Sequence, residues 1–200
     1  MKISERNGRP LALAGIGLAL MAVAAAALAL LGHGPGISYT GSTANPSGSG
    51  ALAALPAASR PEAQPLRFTG LDGRPLTLAD FRGRTVLVNL WATWCPPCVS
   101  EMPDLDALQG TLGSGRFQVV AVSLDRGGTG AAERWFGKNG IRHLAVYNAD
   151  PTQFPDAMLP TSFLIDAKGR VAWHGLGVQD WTSPTVTAEI RKIVAEDGAQ

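Results

Sequence analysis

The 200-residue chain carries 17 basic and 16 acidic side chains, for a formal net charge of +1. A protein that grips nucleic acid by its phosphates needs a basic face to displace counterions; no basic run exists here, so DNA and RNA are excluded as partners. A closed zinc site is excluded too: the chain has only Cys95, Cys98, His33, His143 and His174, and no histidine stands at ligand spacing from another.

Residues 1–10 hold Lys2, Arg6 and Arg9, and the next basic residue is Arg60. Between them, residues 11–31 read LALAGIGLALMAVAAAALALL, without a charge or a proline. A helix of that length spans roughly 30 Å, the thickness of a bilayer's hydrocarbon core. The positive-inside rule then keeps residues 1–10 in the cytoplasm and sends the rest across. A signal peptide cleaved after Ala27–Ala29 is the rival reading, but its apolar core would run only about 7–15 residues. A transmembrane anchor is expected. Residues 32–65 are rich in Gly, Ser, Ala and Pro and show no period, so they read as a flexible linker reaching roughly 30–35 Å.

Residues 66–200 carry the fold. Asp72-Gly73 suits a tight hairpin turn. Thr85–Trp91 (TVLVNLW) is a continuous apolar, β-branched run, expected of a strand buried on both faces. Met102, Leu105, Leu108 and Leu112 recur at helical spacing, with Gly113 as the stop. FQVVAVSLD (117–125) is a second buried strand, TGAAERWFGKNG (129–140) a helix ending at Asn139-Gly140. HLAVYN, TSFLID and RVAWHGL are further strands. Ser183 and Pro184 open a last helix whose apolar face is Val186, Ile190, Ile193 and Val194. Alternating strands and helices predict an α/β fold around one mixed sheet.

Cys95 and Cys98 form a CxxC between the end of a buried strand and the start of a helix. Unpaired backbone N–H groups and the positive helix end favour a thiolate at Cys95. Cys98 lies three residues on and can resolve a mixed disulfide, so Cys95 is the expected nucleophile and Cys98 the resolving thiol. A structural clip would constrain the unfolded chain little across so short a loop. Two thiolates would also suit Cu(I), so a copper chaperone stays open as a different class of function. No cofactor is expected. Pro96 and Pro97 offer no N–H to the Cys95 sulfur; a less stabilised thiolate leans toward a reductant, with a disulfide-forming oxidant or a thiol peroxidase as alternatives. Trp91 continues the strand pattern and is expected in the core. Trp94 and Pro97, flanking Cys95 and its neighbour, are expected to contact substrate.

The stretch VLVNLWATWCPPC, with LPT at Leu159–Thr161 ahead of an apolar strand, resembles the thioredoxin superfamily, and more narrowly its membrane-anchored, extracytoplasmic TlpA/ResA/CcmG branch. LTLADFRGRTVLVNLWATWC, EMPDLDALQGTLG, FQVVAVSLD and LPTSFLIDAKGRV are similar to TlpA. The resemblance implies a thioredoxin-like fold and thiol–disulfide exchange. It implies that Pro160 is a cis-proline facing the cysteines, with Leu159 and Thr161 docking a substrate strand. Asn89 stands where many thioredoxins bury an acid, and Glu101 matches a glutamate the branch keeps near its cysteines. A carboxylate there can take the Cys98 proton; read without the resemblance, Glu101 is a solvated helix residue. Pro103 is expected to kink the helix. The resemblance further implies protein disulfide substrates such as apocytochrome c or copper-site assembly proteins, a membrane electron donor of the CcdA or DsbD kind, and a bacterial inner-membrane location with the catalytic domain in the periplasm. One departure stands out: only PTQFPDAML separates Asp150 from Pro160, where relatives place a fuller helix.

Overall fold

The computed structural model describes residues 52–198. The expected cytoplasmic segment and anchor, residues 1–31, lie outside them, as does the linker up to residue 51. Among the described residues no helix is long and apolar enough to cross a membrane.

Seven strands form one mixed sheet in the order β2-β1-β5-β4-β3-β6-β7. β1 (Arg67–Gly70) and β2 (Pro75–Thr77) make a hairpin turning at Asp72-Gly73, where Gly73 takes φ +75°. That left-handed conformation is open to glycine at no steric cost. β3 (Thr85–Trp91) lies at the centre with all seven residues buried, parallel to β4 (Phe117–Ser123) and antiparallel to β6 (Thr161–Ile165). β7 (Val171–Leu176) closes one edge.

Alternation along β3 sorts the core. Leu87 and Trp91 join one apolar cluster; Val86, Val88 and Leu90 join the other. The buried apolar side chains of all three helices belong to the first: Met102, Leu105 and Leu108 from α1 (Pro96–Leu112), Ala132 and Phe136 from α2 (Gly130–Asn139), Val186, Ile190 and Ile193 from α3 (Pro184–Gly198). The second face is closed by short turns instead. Phe81 comes from the 3-10 turn Leu78–Phe81, and Phe154 follows the 3-10 turn Pro151–Gln153. PTQFPDAML, with its two prolines, makes no α-helix there.

Local differences from the sequence reading have physical causes. The strand expected over HLAVYN shrinks to β5 (Tyr147–Asn148). The N–H groups of Arg142, His143 and Leu144 donate to Asp106 Oδ1 on α1 instead of to a neighbouring strand. Gly113 ends α1 with φ −54°, not by a left-handed turn; a Cβ there would collide with the Gln109 carbonyl oxygen.

The linker expected over residues 32–65 stops short of Pro65. Leu55 N–H donates to the Ala172 carbonyl at 2.7 Å, Val171 N–H to the Pro61 carbonyl at 2.7 Å, and Ala63 N–H to the Gly169 carbonyl at 3.0 Å. Residues 52–63 therefore lie along the outer edge of β7, pairing backbone groups that an open edge would expose. Arg60 locks this strap. Its buried guanidinium reaches Asp166 at 3.4 Å and Glu196 at 2.8 Å, and Arg170 also holds Asp166, at 2.7 Å. Composition reads the segment as coil because its fastening is main-chain pairing plus one arginine, neither of which has a periodic signature.

Candidate active site

β3 delivers the chain to the site. After Trp91, the loop Ala92–Trp94 leads to Cys95, the N-cap of α1, with Pro96 and Pro97 filling the first two helical positions. Proline suits that place, since its missing N–H would be unpaired in any case. Cys95 and Cys98 are joined in a disulfide, Cα to Cα 5.3 Å. Cys95 keeps 5% exposure and Cys98 none. The Leu159–Pro160 peptide is cis. Leu90 pairs with Thr161, so the register sets Pro160 level with Trp91, at the cysteine end of the sheet. Leu159 is half-buried and packs against both core clusters. Thr161 is buried and its hydroxyl donates to the Met158 carbonyl.

The two tryptophans part company. Trp91 is fully buried, stacked on Phe136 at 5.5 Å and edge-on to Trp135. Trp94 is 66% exposed beside Cys95; Met158, just before the cis peptide, is 64% exposed. Pro97 is exposed as well.

Glu101 is not a solvated helix residue. It is 1% exposed, one turn past Cys98 on the same face of α1. Its Oε1 accepts from Asn89 Nδ2 at 2.5 Å; its Oε2 accepts from Gln179 N–H at 3.2 Å and Trp181 Nε1–H at 3.3 Å. Asn89 Nδ2 also reaches Ser162 Oγ at 3.0 Å. Burial raises the Glu101 carboxyl to about 7, outweighing the three donors that favour the anion; Asp104 pushes the same way as burial. So the acid that Asn89 lacks arrives from the helix, and the two side chains touch.

Three contributors escaped the sequence reading. Gln179 and Trp181 belong to the β7–α3 connection, some 80 residues from Glu101, with no motif to tie them to it. Asp125 follows β4 and holds the active-site loop: Oδ1 accepts from Thr93 Oγ1 at 2.7 Å and Oδ2 from Thr93 N–H at 3.1 Å. A buried acid ending an apolar strand was the one available signal. Of the two described histidines, His143 pairs with Asp106 at 3.1 Å, and His174 stacks on Phe163 at 4.7 Å, burial lowering its proton affinity.

The sequence model of the Redoxin family matches residues 50–190. The chain is 32% identical over 143 residues to the thiol-disulfide oxidoreductase ResA of Bacillus cereus, covering 66% of this chain and 76% of that one. Among solved structures it resembles a thiol:disulfide interchange protein of the thioredoxin family from Chlorobium tepidum TLS, with TM-score 0.51 and 28% identity over 69% of this chain and 96% of the other. It also resembles a DsbF homologue from Corynebacterium diphtheriae, with TM-score 0.56 and 25% identity over 74% and 94% of the two chains.

Proposed function

The chain belongs to the Redoxin family and is a thiol-disulfide oxidoreductase with a CxxC pair at Cys95 and Cys98; from that premise we propose that it is a tethered, extracytoplasmic reductant of protein disulfides. In the reducing direction the Cys95 thiolate attacks a partner's disulfide, forming a mixed disulfide and releasing the first partner sulfur as a thiolate. Cys98 then gives its proton to the Glu101 carboxylate. The Cys98 sulfur attacks Cys95, the mixed disulfide breaks, and the partner leaves with both sulfurs reduced, as thiolates that take protons from solvent, while Glu101 keeps the Cys98 proton. Two electrons have moved to the partner, and the enzyme holds the Cys95–Cys98 disulfide. Trp94, Pro97, Leu159, Pro160 and Thr161 form the surface on which the partner docks.

The observation that carries the direction is the opening of α1. Pro96 and Pro97 occupy the first two helical positions, and Val99 N–H is spent on the Cys95 carbonyl at 3.1 Å. The Cys98 N–H is the one first-turn amide left for the Cys95 thiolate. With so little hydrogen bonding, the reduced state is stabilised weakly and its electrons are given up readily.

Within the superfamily this reading sets the chain on the TlpA/ResA/CcmG branch. Residues 11–31 serve as a single inner-membrane anchor and residues 32–51 as the tether, with the catalytic domain in the periplasm. The apolar length and the basic residues at positions 2, 6 and 9 support that arrangement. Cytochrome c or oxidase copper-site maturation supplies the substrates, and a membrane carrier of the CcdA or DsbD kind the electrons; the resemblance of the VLVNLWATWCPPC and LPT stretches to the TlpA/ResA/CcmG branch supports this assignment. The test is the reduction potential of the pair against glutathione. A value near thioredoxin's, about −270 mV, is expected; one near the strong periplasmic oxidants, about −120 mV, overturns the direction. Partners trapped by Cys98→Ser and identified by mass spectrometry name the substrates, and fractionation tests the anchor.

A further inference from the structure

Glu101, Asn89 and Ser162 are buried and meet side chain to side chain, yet one atom of the trio is left over. Asn89 Nδ2 donates twice, to Glu101 Oε1 and to Ser162 Oγ, while Asn89 Oδ1, equally buried, receives no hydrogen bond. A buried acceptor without a donor carries an uncompensated desolvation cost, so its persistence needs a reason.

The reason lies in what a proton on Glu101 would require. Oε2 already accepts two N–H groups, from Gln179 and Trp181, which leaves Oε1 as the oxygen able to carry hydrogen. A protonated Oε1 must donate, and the side chain bonded to it, Asn89, now presents it with an N–H. Rotating the Asn89 amide by half a turn brings Oδ1 to Oε1. The Ser162 hydroxyl, which accepts from Nδ2 in the first state, can donate to Oδ1 in the second, because a hydroxyl plays either part. The flip trades one unpaired atom for another, Oδ1 for Nδ2, so neither state wins on hydrogen-bond count.

We propose that Asn89 is a positioning residue whose side-chain amide flips in step with the proton on Glu101, with Ser162 as the pivot and Gln179 and Trp181 holding the carboxyl still. The ionised carboxylate is held by Nδ2 and poised to take the Cys98 proton. The protonated carboxyl is held by Oδ1 and releases the proton when the amide turns back. The groups facing Glu101 are otherwise neutral: Asn89 on β3, Ser162 on β6, Gln179 and Trp181 between β7 and α3. On its own helix Cys98 precedes it and Asp104 repels its charge, with Asp180 beside Asp104. This proposal rests on Glu101 exchanging protons with Cys98, as described above.

The experiment is a pH titration of the full-length oxidised protein in detergent, labelled at asparagine and glutamate side chains, followed by nuclear magnetic resonance. The Glu101 carboxyl carbon and the Asn89 amide pair should shift with the same midpoint. Glu101→Gln, whose own amide mimics the protonated carboxyl, should hold the Asn89 signals at their acid-limit position at every pH. A Glu101 carbon that titrates while the Asn89 amide stays still overturns the flip, as does a Glu101 that does not titrate between about pH 5 and 9, the window around a carboxyl raised by burial. Glu101→Gln signals fixed at the alkaline position overturn it too. The two ideas fail separately: if Asn89 follows Glu101 yet Glu101→Gln resolves mixed disulfides at the normal rate, the flip stands and the proton-transfer role falls.

Discussion

Two buried carboxylates sit at opposite ends of β6, and their surroundings differ in kind. Asp166, just past the strand's last residue, is 1% exposed and faces two guanidinium groups, Arg60 and Arg170, plus the N–H groups of Lys168 and Arg170. Glu101, level with Ser162 through Asn89, is equally buried and meets only neutral donors. A buried charge with charged partners is a fastening: it must stay ionised for the pairs to hold. A buried charge with only dipoles around it sits close to neutrality and exchanges its proton near physiological pH. The same residue class therefore clasps the strap at one end of the sheet and serves chemistry at the other.

The contrast breaks most visibly at Asp166. Asp166→Ala leaves Arg170 without its carboxylate, Arg60 with Glu196 alone, and the Lys168 and Arg170 N–H groups without their acceptor, which costs about 3–5 kcal/mol. Urea unfolding should show that loss, while the folded fraction keeps its rate of disulfide exchange. A variant that loses exchange but not stability would merge the two roles.

Glu101→Gln should do the reverse. Loss of the proton acceptor slows resolution by about 100-fold or more at about pH 8, read as accumulation of mixed disulfide in stopped reactions. Stability should rise. The folded carboxyl binds its proton up to about pH 7, against the ordinary 4.5, so between those values the folded state holds more protons than the unfolded. Wild-type stability therefore falls as pH climbs through that window. By about pH 8 the deficit is about 3 kcal/mol, which the glutamine variant escapes. Unfolding of both proteins at about pH 4.5 and about pH 8 checks the sign; equal stabilities at the higher pH would show that Glu101 is not held near neutrality.

How far the sequence announced this arrangement depends on range. β3, α1, β4 and α3 were legible because each is a local pattern: a run of consecutive buried-strand residues, a helical stripe, a serine-proline start. The cysteine pair was legible because its chemistry lies within a few residues. The strap was not, since an Ala- and Pro-rich composition is silent about main-chain pairing to β7. The surroundings of Glu101 were not either: Asn89, Ser162, Gln179 and Trp181 come from separate segments that only the folded sheet assembles. Even Asp125 on Thr93, which pins the loop before Cys95, is a contact across 32 residues. Thr93→Val should cost about 1 kcal/mol in stability through that lost hydrogen bond and leave the pH profile unmoved.

Trp181→Phe makes the finest cut at the comparison, because it alters the dipoles around Glu101 without touching its charge. The indole N–H donates to Oε2 and favours the anion. Removing it should raise the carboxyl's proton affinity further, by about one pH unit or less for a single hydrogen bond to a charged group. The midpoint of the resolution rate against pH should move upward by the same amount, with its plateau at high pH nearly unchanged. The ring is fully buried and edge-on to Trp173 at 6.0 Å, and phenylalanine keeps part of that packing. A profile that keeps its midpoint while the plateau falls would mean that Trp181 only packs the core. A profile that shifts intact would mean that three neutral donors, rather than any ion pair, set the proton affinity at this end of the sheet.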